Sequence, residues 1–178
     1  MMRPAAGGTL RHLPLAIMGT TLMPTLAPRS ALSILPSVSR PQGEKKARVG
    51  LFVGCAINYV YPQTAKSTVK LLTGMGVEVV SPRGQLCCGT PMLTTGYANA
   101  AATVARRNAQ VFGKAGLDAV ITPCASCALT LTRNYPVLGI KDFPPVFELS
   151  TWLDRNGFEP AQKLRSEEHT SELQSRQS

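Results

Sequence analysis

Five cysteines fall in one spaced set: Cys55, the vicinal pair Cys87–Cys88 followed by Gly89, and the two ends of Cys124-Ala-Ser-Cys127. No cysteine lies outside it. Thirty-one residues separate Cys55 from Cys87, and 35 separate Cys88 from Cys124. Thiolates are soft donors that suit iron, zinc and copper(I), so sulfurs drawn from three places predict a soft-metal or iron–sulfur site. Two other chemistries compete. A structural zinc takes four ligands, which Cys124, Cys127 and two of the others would supply. A thioredoxin-like dithiol would use Cys124 and Cys127, with the Cys124 pKa lowered at a strand end before a helix. That reading leaves Cys55, Cys87 and Cys88 idle; only a metal reading employs all five. An odd count also leaves a disulfide framework unclosed, and adjacent cysteines rarely pair. A reducing compartment, the cytoplasm, is the expectation.

The elements that would position these sulfurs follow from local patterning. Arg48–Gly54 is an apolar, β-rich run ending just before Cys55. Pro62–Met75 repeats apolar residues at helical spacing (Ala65, Val69, Leu72, Met75), with Pro62 suited to a first turn. Val77–Val80 is a second strand. Ser81–Tyr97 is a Gly-, Pro- and Thr-rich loop holding Cys87, Cys88 and Gly89. Ala98–Ala115 is a long helix with Ala101, Val104, Ala105, Asn108, Val111 and Phe112 along one side. Asp118–Thr122 is a third strand, followed by Pro123, Cys124 and a helix beginning near Cys127. Phe147–Asn156 closes the pattern as a short helix with Leu149, Trp152 and Leu153 as its apolar side. Strands alternating with helices predict an α/β fold, a Rossmann-like parallel sheet with flanking helices. In such a sheet all three cysteine-bearing loops leave the carboxyl ends of strands, on the edge where ligands bind.

Supporting residues carry plain readings beside functional ones. Gly54 and Gly89 let backbone approach a cluster or simply make turns, and Pro91 and Pro123 shape the ligand loops or end strands. Tyr59 and Tyr61 are packing residues before they are redox relays. His12 and His169 sit at the two ends of the chain and are not ligands. The sequence holds no Ser/His/Asp set, paired-carboxylate site, phosphate loop or dinucleotide fingerprint, so no catalytic residue is assigned and chemistry on an organic substrate is expected in a partner.

The ends differ from the middle. Residues 1–43 hold no Asp or Glu, four Arg and six Pro. Residues 1–46 are expected to be a basic, Pro-rich linker remaining from a longer chain. Leu13–Ala27 imitates a signal-peptide core, but prolines interrupt it and it is too short to span a bilayer. Residues 47–157 form the cysteine-rich domain and 158–164 a truncated connector. Residues 165–178, RSEEHTSELQSRQS, resemble a translated sequencing adapter and are expected to be a disordered artefact. The formal charge is +9; the tail holds two basic and three acidic residues, so residues 1–164 carry +10. The charges are scattered and aromatics sparse, which argues against nucleic acid and for solubility or docking to acidic partner proteins.

The set Cys55, Cys87-Cys88-Gly89 and Cys124-Ala-Ser-Cys127, led in by Phe-Val-Gly-Cys-Ala-Ile-Asn-Tyr-Val-Tyr-Pro (Phe52–Pro62), resembles the CCG, or cysteine-rich, domain family. That family occurs in heterodisulfide reductase and in the iron–sulfur subunits of glycolate oxidase, lactate-utilising complexes and anaerobic glycerol-3-phosphate dehydrogenase. The lead-in is most similar to the glycolate and glycerol-phosphate type. The resemblance covers residues 47–157. It implies an electron-transfer domain whose 4Fe–4S cluster, noncubane in heterodisulfide reductase, is held by Cys55, Cys87, Cys88, Cys124 and Cys127. It implies a flavoprotein partner that oxidises a 2-hydroxy acid or glycerol phosphate. Electrons then pass to a quinone or another carrier, at the inner face of a membrane through partners. Five thiolates exceed a cubane's need, and a fused cluster with bridging thiolates would use the fifth. The ferredoxin-type cysteine runs and second CCG repeat usual in full-length relatives are missing from this sequence, which points to a fragment of an oxidoreductase subunit.

Overall fold

The computed structural model describes residues 25–158. The readings of residues 1–24, of the connector from 159 to 164 and of the adapter-like tail lie outside the described residues.

Five strands form one sheet: β1 (Val38–Ser39), β2 (Ala47–Leu51), β3 (Val77–Val80), β4 (Ala119–Thr122) and β5 (Val146–Glu148). Their order is β1-β3-β2-β4-β5. β2 pairs parallel with both β3 and β4, and β4 pairs parallel with β5. β1 pairs antiparallel with β3 at the edge. The parallel centre is the predicted architecture, and β3 and β4 are buried at every residue, as strands covered on both faces must be.

Each face of the sheet carries its own core. In β2, Val49 and Leu51 point to one side, where they meet Ala65, Val69 and Leu72 of α3 (Pro62–Gly74) and Trp152 of α8 (Leu149–Arg155). Pro62 occupies the first turn of α3, where its missing N–H is no loss. On the other side Phe52 and Val120 pack with Ala105 and Phe112 of α5 (Ala98–Gly113). Gly50 lies against that helix, and a Cβ there would stand 2.9 Å from Phe112 Cδ1. Only a bare backbone lets α5 approach so closely.

The structure departs from expectation in three stretches. Residues 30–39, expected in the linker, supply α1 (Ala31–Ile34), capped by the Ser30 side chain, together with β1. Ala31 and Leu35 are buried in the core, so the folded unit begins upstream of residue 47. The loop of residues 81–97 contains α4 (Thr90–Thr94), with Pro91 in its first turn. The helix expected from Phe147 starts two residues later, because Val146–Glu148 join the sheet beside β4. Glu148 then caps α8 by accepting from the Ser150 and Thr151 amides.

No helix among the described residues is long and apolar enough to cross a membrane.

Candidate metal centre

All five cysteines lie at the carboxyl edge of the parallel strands. Cys55 is in α2 (Gly54–Tyr59), which begins three residues after β2. Cys87 and Cys88 end the loop after β3. Cys124 caps α6 (Ala125–Leu129), two residues beyond β4, and Cys127 lies within it. The helix continues through a wide π-turn, Thr130–Asn134, into α7 (Tyr135–Val137).

The sulfurs form two close pairs. Cys87 Sγ is 4.0 Å from Cys55 Sγ, and Cys127 Sγ is 3.4 Å from Cys88 Sγ. Cys124 stands beside Cys127, its sulfur 3.3 Å from Ser126 Oγ. Cys88 and Cys127 are buried, Cys87 and Cys124 half-buried, and Cys55 exposed. None is in a disulfide. Cys55, Cys88, Cys124 and Cys127 border one cavity of about 140 Å³, and Cys55 and Cys87 border a second of about 140 Å³. Larger clefts elsewhere hold no cysteine.

Glycine conformation brings these pieces together at two points. Gly54 has φ +70°, and a Cβ there would stand 3.0 Å from Cys127 Sγ. Gly89 has φ +99°, turning the chain between Cys88 and α4, with Val104 and Ala101 of α5 directly behind it.

The thiols polarise one another. Cys88 accepts from the Cys127 thiol, then from Cys87; these and Thr90 outweigh burial and pull its pKa down to about 2. Cys127 and Cys87, as donors to that sulfur and partly desolvated, are pushed up. Burial raises Cys124, but Ser126 and the Cys127 amide and thiol outweigh it and bring it below the usual thiol value. Each thiol that ligates a metal would give up its proton as the metal binds.

Two buried amides position the loop of Cys87 and Cys88. Gln85 accepts from the Val53 N–H at 2.8 Å and donates to the Leu51 and Pro82 carbonyls. It ties the loop to the strand end that leads into Cys55. Asn108, fully buried on α5, accepts from the Leu86 N–H at 2.7 Å and donates to the Cys87 carbonyl at 3.0 Å. It also donates to Tyr135 Oη at 2.8 Å. Burial raises the Tyr135 pKa, against the bond from Asn108, so the phenol stays protonated. Neither amide stands out by motif. The one signal in the sequence is Asn108 itself, a polar residue on the apolar side of an amphipathic helix.

The donor set decides what can bind. Segments 52–61, 81–97 and 123–135 contain no Asp, Glu or His, so carboxylate and imidazole are absent from the cysteine-bearing loops. A tetrahedral zinc with Zn–S near ~2.3 Å places its four sulfurs about 3.8 Å apart. Among the described residues no three His, Cys, Asp or Glu side chains converge in a way that would hold one ion. Five thiolates at one edge exceed the four ligands of a tetrahedral ion and suit a group of several metal atoms sharing sulfur. The bare Gly54 backbone leaves space beside Cys127 for such a group. An iron–sulfur cluster therefore fits these residues.

Comparison with known proteins agrees with the chemistry. Residues 49–132 match the profile of CCG, the cysteine-rich domain. An uncharacterized iron–sulfur protein of Methanocaldococcus jannaschii is 38% identical over 95 residues, covering 53% of this chain and 19% of that protein. One of the subunits of fumarate reductase (CoM/CoB) from Methanothermobacter marburgensis is 37% identical over 95 residues, with coverage of 53% and 19%. Lactate utilization protein A of Geobacillus kaustophilus is 39% identical over 89 residues, covering 50% of this chain and 36% of that protein. The chain therefore spans between about a fifth and about a third of these curated relatives. No solved structure matches it.

Proposed function

We propose that residues 49–132, a cysteine-rich domain of the CCG family, hold an iron–sulfur cluster through Cys55, Cys87, Cys88, Cys124 and Cys127 and serve as an electron-transfer part of an oxidoreductase. The observation that carries this is the gathering of five sulfurs at one sheet edge, four of them in two close pairs, on loops without a carboxylate or an imidazole. When bound, a 4Fe–4S group supplies one-electron transfer at a potential set by its ligands and surroundings. The chain's own residues do the rest. Cys88 and Cys127 anchor the buried side, while Gln85 and Asn108 fix the loop that presents Cys87. Phe52, Val53 and Ile57, all buried, keep water from the inner wall. Cys55, exposed and bordering both cavities, marks the side from which a redox partner approaches.

The electron donor in this reading is a flavoprotein that oxidises lactate, glycolate or glycerol 3-phosphate. Similarity to lactate utilization protein A supports the lactate member of that set. The acceptor is a quinone or another carrier, reached at the inner face of the membrane through partner proteins. The relatives' greater length supports a role as one segment of a longer electron path.

The test is anaerobic purification of the full chain, with iron, zinc and acid-labile sulfide analysis, visible absorption and low-temperature EPR. About four irons and four sulfides per chain are expected, with visible absorption bleached by dithionite and lost in Cys87→Ser. One zinc without sulfide would replace this reading with a structural zinc module. Metal-free disulfide reduction that survives Cys55→Ser but not Cys124→Ser would make the chain a dithiol enzyme.

A further inference from the structure

We infer that Thr130 and Thr90 form a hydroxyl relay that ends on the Cys88 sulfur and raises the reduction potential of the group held there. The inference rests on the iron–sulfur reading and deepens it. Thr90 is the first residue of α4, directly after the Gly89 turn, and its Oγ1 is 3.1 Å from Cys88 Sγ. The same oxygen is 2.6 Å from Thr130 Oγ1. Thr130 is 2% exposed and opens the π-turn, three residues beyond Cys127 and on the same side of the helix.

Helical threonines commonly spend their hydroxyl on the carbonyl four residues back. Thr68, Thr73, Thr103 and Thr132 do so in this chain. Thr130 instead bonds across to Thr90, linking the helix of Cys127 to the loop of Cys88. The direction of the relay follows from proton counting. A ligand thiolate only accepts, so the contact with Cys88 uses the single proton of Thr90. Thr90 then accepts from Thr130, so each hydroxyl proton has an acceptor.

A hydrogen bond to a ligand sulfur draws electron density from it, which favours the more electron-rich, reduced state. Thr90 and Thr130 are therefore positioning and tuning residues, not ligands. Thr90→Val keeps the branched shape and removes the donor; Thr90→Ser keeps the donor and removes a methyl group. Thr130→Val leaves Thr90 in place without the donor behind it.

The experiment uses the full chain, purified anaerobically in four forms: wild type, Thr90→Val, Thr90→Ser and Thr130→Val. Iron and sulfide are counted, and the potential is read by dithionite titration followed by EPR. The expected result is equal iron content, a potential shifted lower in Thr90→Val, restored in Thr90→Ser, and shifted less in the same direction in Thr130→Val. A wild-type potential in Thr90→Val overturns the relay. So does a Thr90→Ser potential equal to that of Thr90→Val, because a shift that persists with the hydroxyl in place is not caused by loss of its hydrogen bond. Should Thr90→Val fail to take up iron, Thr130→Val decides alone, and an unshifted potential there overturns the inference. A wild-type protein without iron and sulfide would instead overturn the cluster reading itself, and this inference with it.

Discussion

Replacing Asn108 with leucine tests what holds the vicinal cysteines in place. The two side chains branch alike, so the substitution removes polarity more than it opens space. Three hydrogen bonds go: those to the Leu86 N–H, the Cys87 carbonyl and Tyr135 Oη. Leu86 is exposed and Cys87 half-buried, so their backbone groups regain water when the loop shifts, and each loss costs about 1 kcal/mol. Tyr135 is 0% exposed, and its hydroxyl has no water to turn to, which costs ~1–3 kcal/mol. Together the loss is about 3–5 kcal/mol, a large share of the ~5–15 kcal/mol that stabilises a domain. The assay is urea unfolding of the metal-free full chain under reductant. With a slope of ~1–3 kcal/mol per molar urea, the midpoint should fall by roughly 2 M. Gln110→Ala, on the exposed side of the same helix, should stay within about 0.5 kcal/mol of wild type. An Asn108→Leu midpoint indistinguishable from that control would refute the assignment, because the loop would then be held by something else.

Gly54→Ala should lose about 1–2 kcal/mol for a left-handed alanine and also most of its iron, since the new methyl would stand 3.0 Å from Cys127 Sγ. Gly116→Ala is the matched control: it has φ +58° and open space around its Cβ, so its stability should fall by a similar amount while metal content measured beside it holds. The pH dependence of stability should contain a contribution from Glu78. Burial would raise its pKa, but the hydrogen bond and charge of Arg48, with Lys45 behind them, hold it below the ordinary carboxylate value. Its stabilisation is complete above the unfolded value of about 4.3 and disappears as pH falls through the lower folded value. Urea midpoints taken from pH 6 downward should therefore drop more steeply in wild type than in Glu78→Gln; parallel curves would contradict the ion pair's role.

The cysteine arrangement is legible in the sequence because it depends on order alone. Apolar runs at Arg48–Gly54, Val77–Val80 and Asp118–Thr122 fall within a few residues of the observed strands, and a parallel sheet sends every following loop to the same edge. Short elements are not legible. β1 has two residues, too few for alternation to register, and its place is set by pairing with Val79 and Val80. Phe147 suits the apolar side of a helix as well as a strand, and only its pairing with Ile121 decides between them. The positioning groups are hidden for another reason. Gln85, Thr90 and Thr130 act through partners 2 to 40 residues away, and nothing in local periodicity distinguishes them from ordinary loop and helix polar residues.

The wide turn at Thr130–Asn134 gives this stretch of helix a sensitivity to length. A five-residue turn holds one residue more than the α-helical ladder needs. Straightening it into regular α-helix with every residue kept would leave the stretch helical. Tyr135 and the rest of α7 would nevertheless rotate by about 100°. The Tyr135 ring would leave its edge-on contact with Phe143, 5.3 Å away between ring centres, and its hydroxyl would leave Asn108. Among homologous chains, a single-residue gap at this turn is therefore the change that a regular helix would accommodate with the Tyr135 contacts kept.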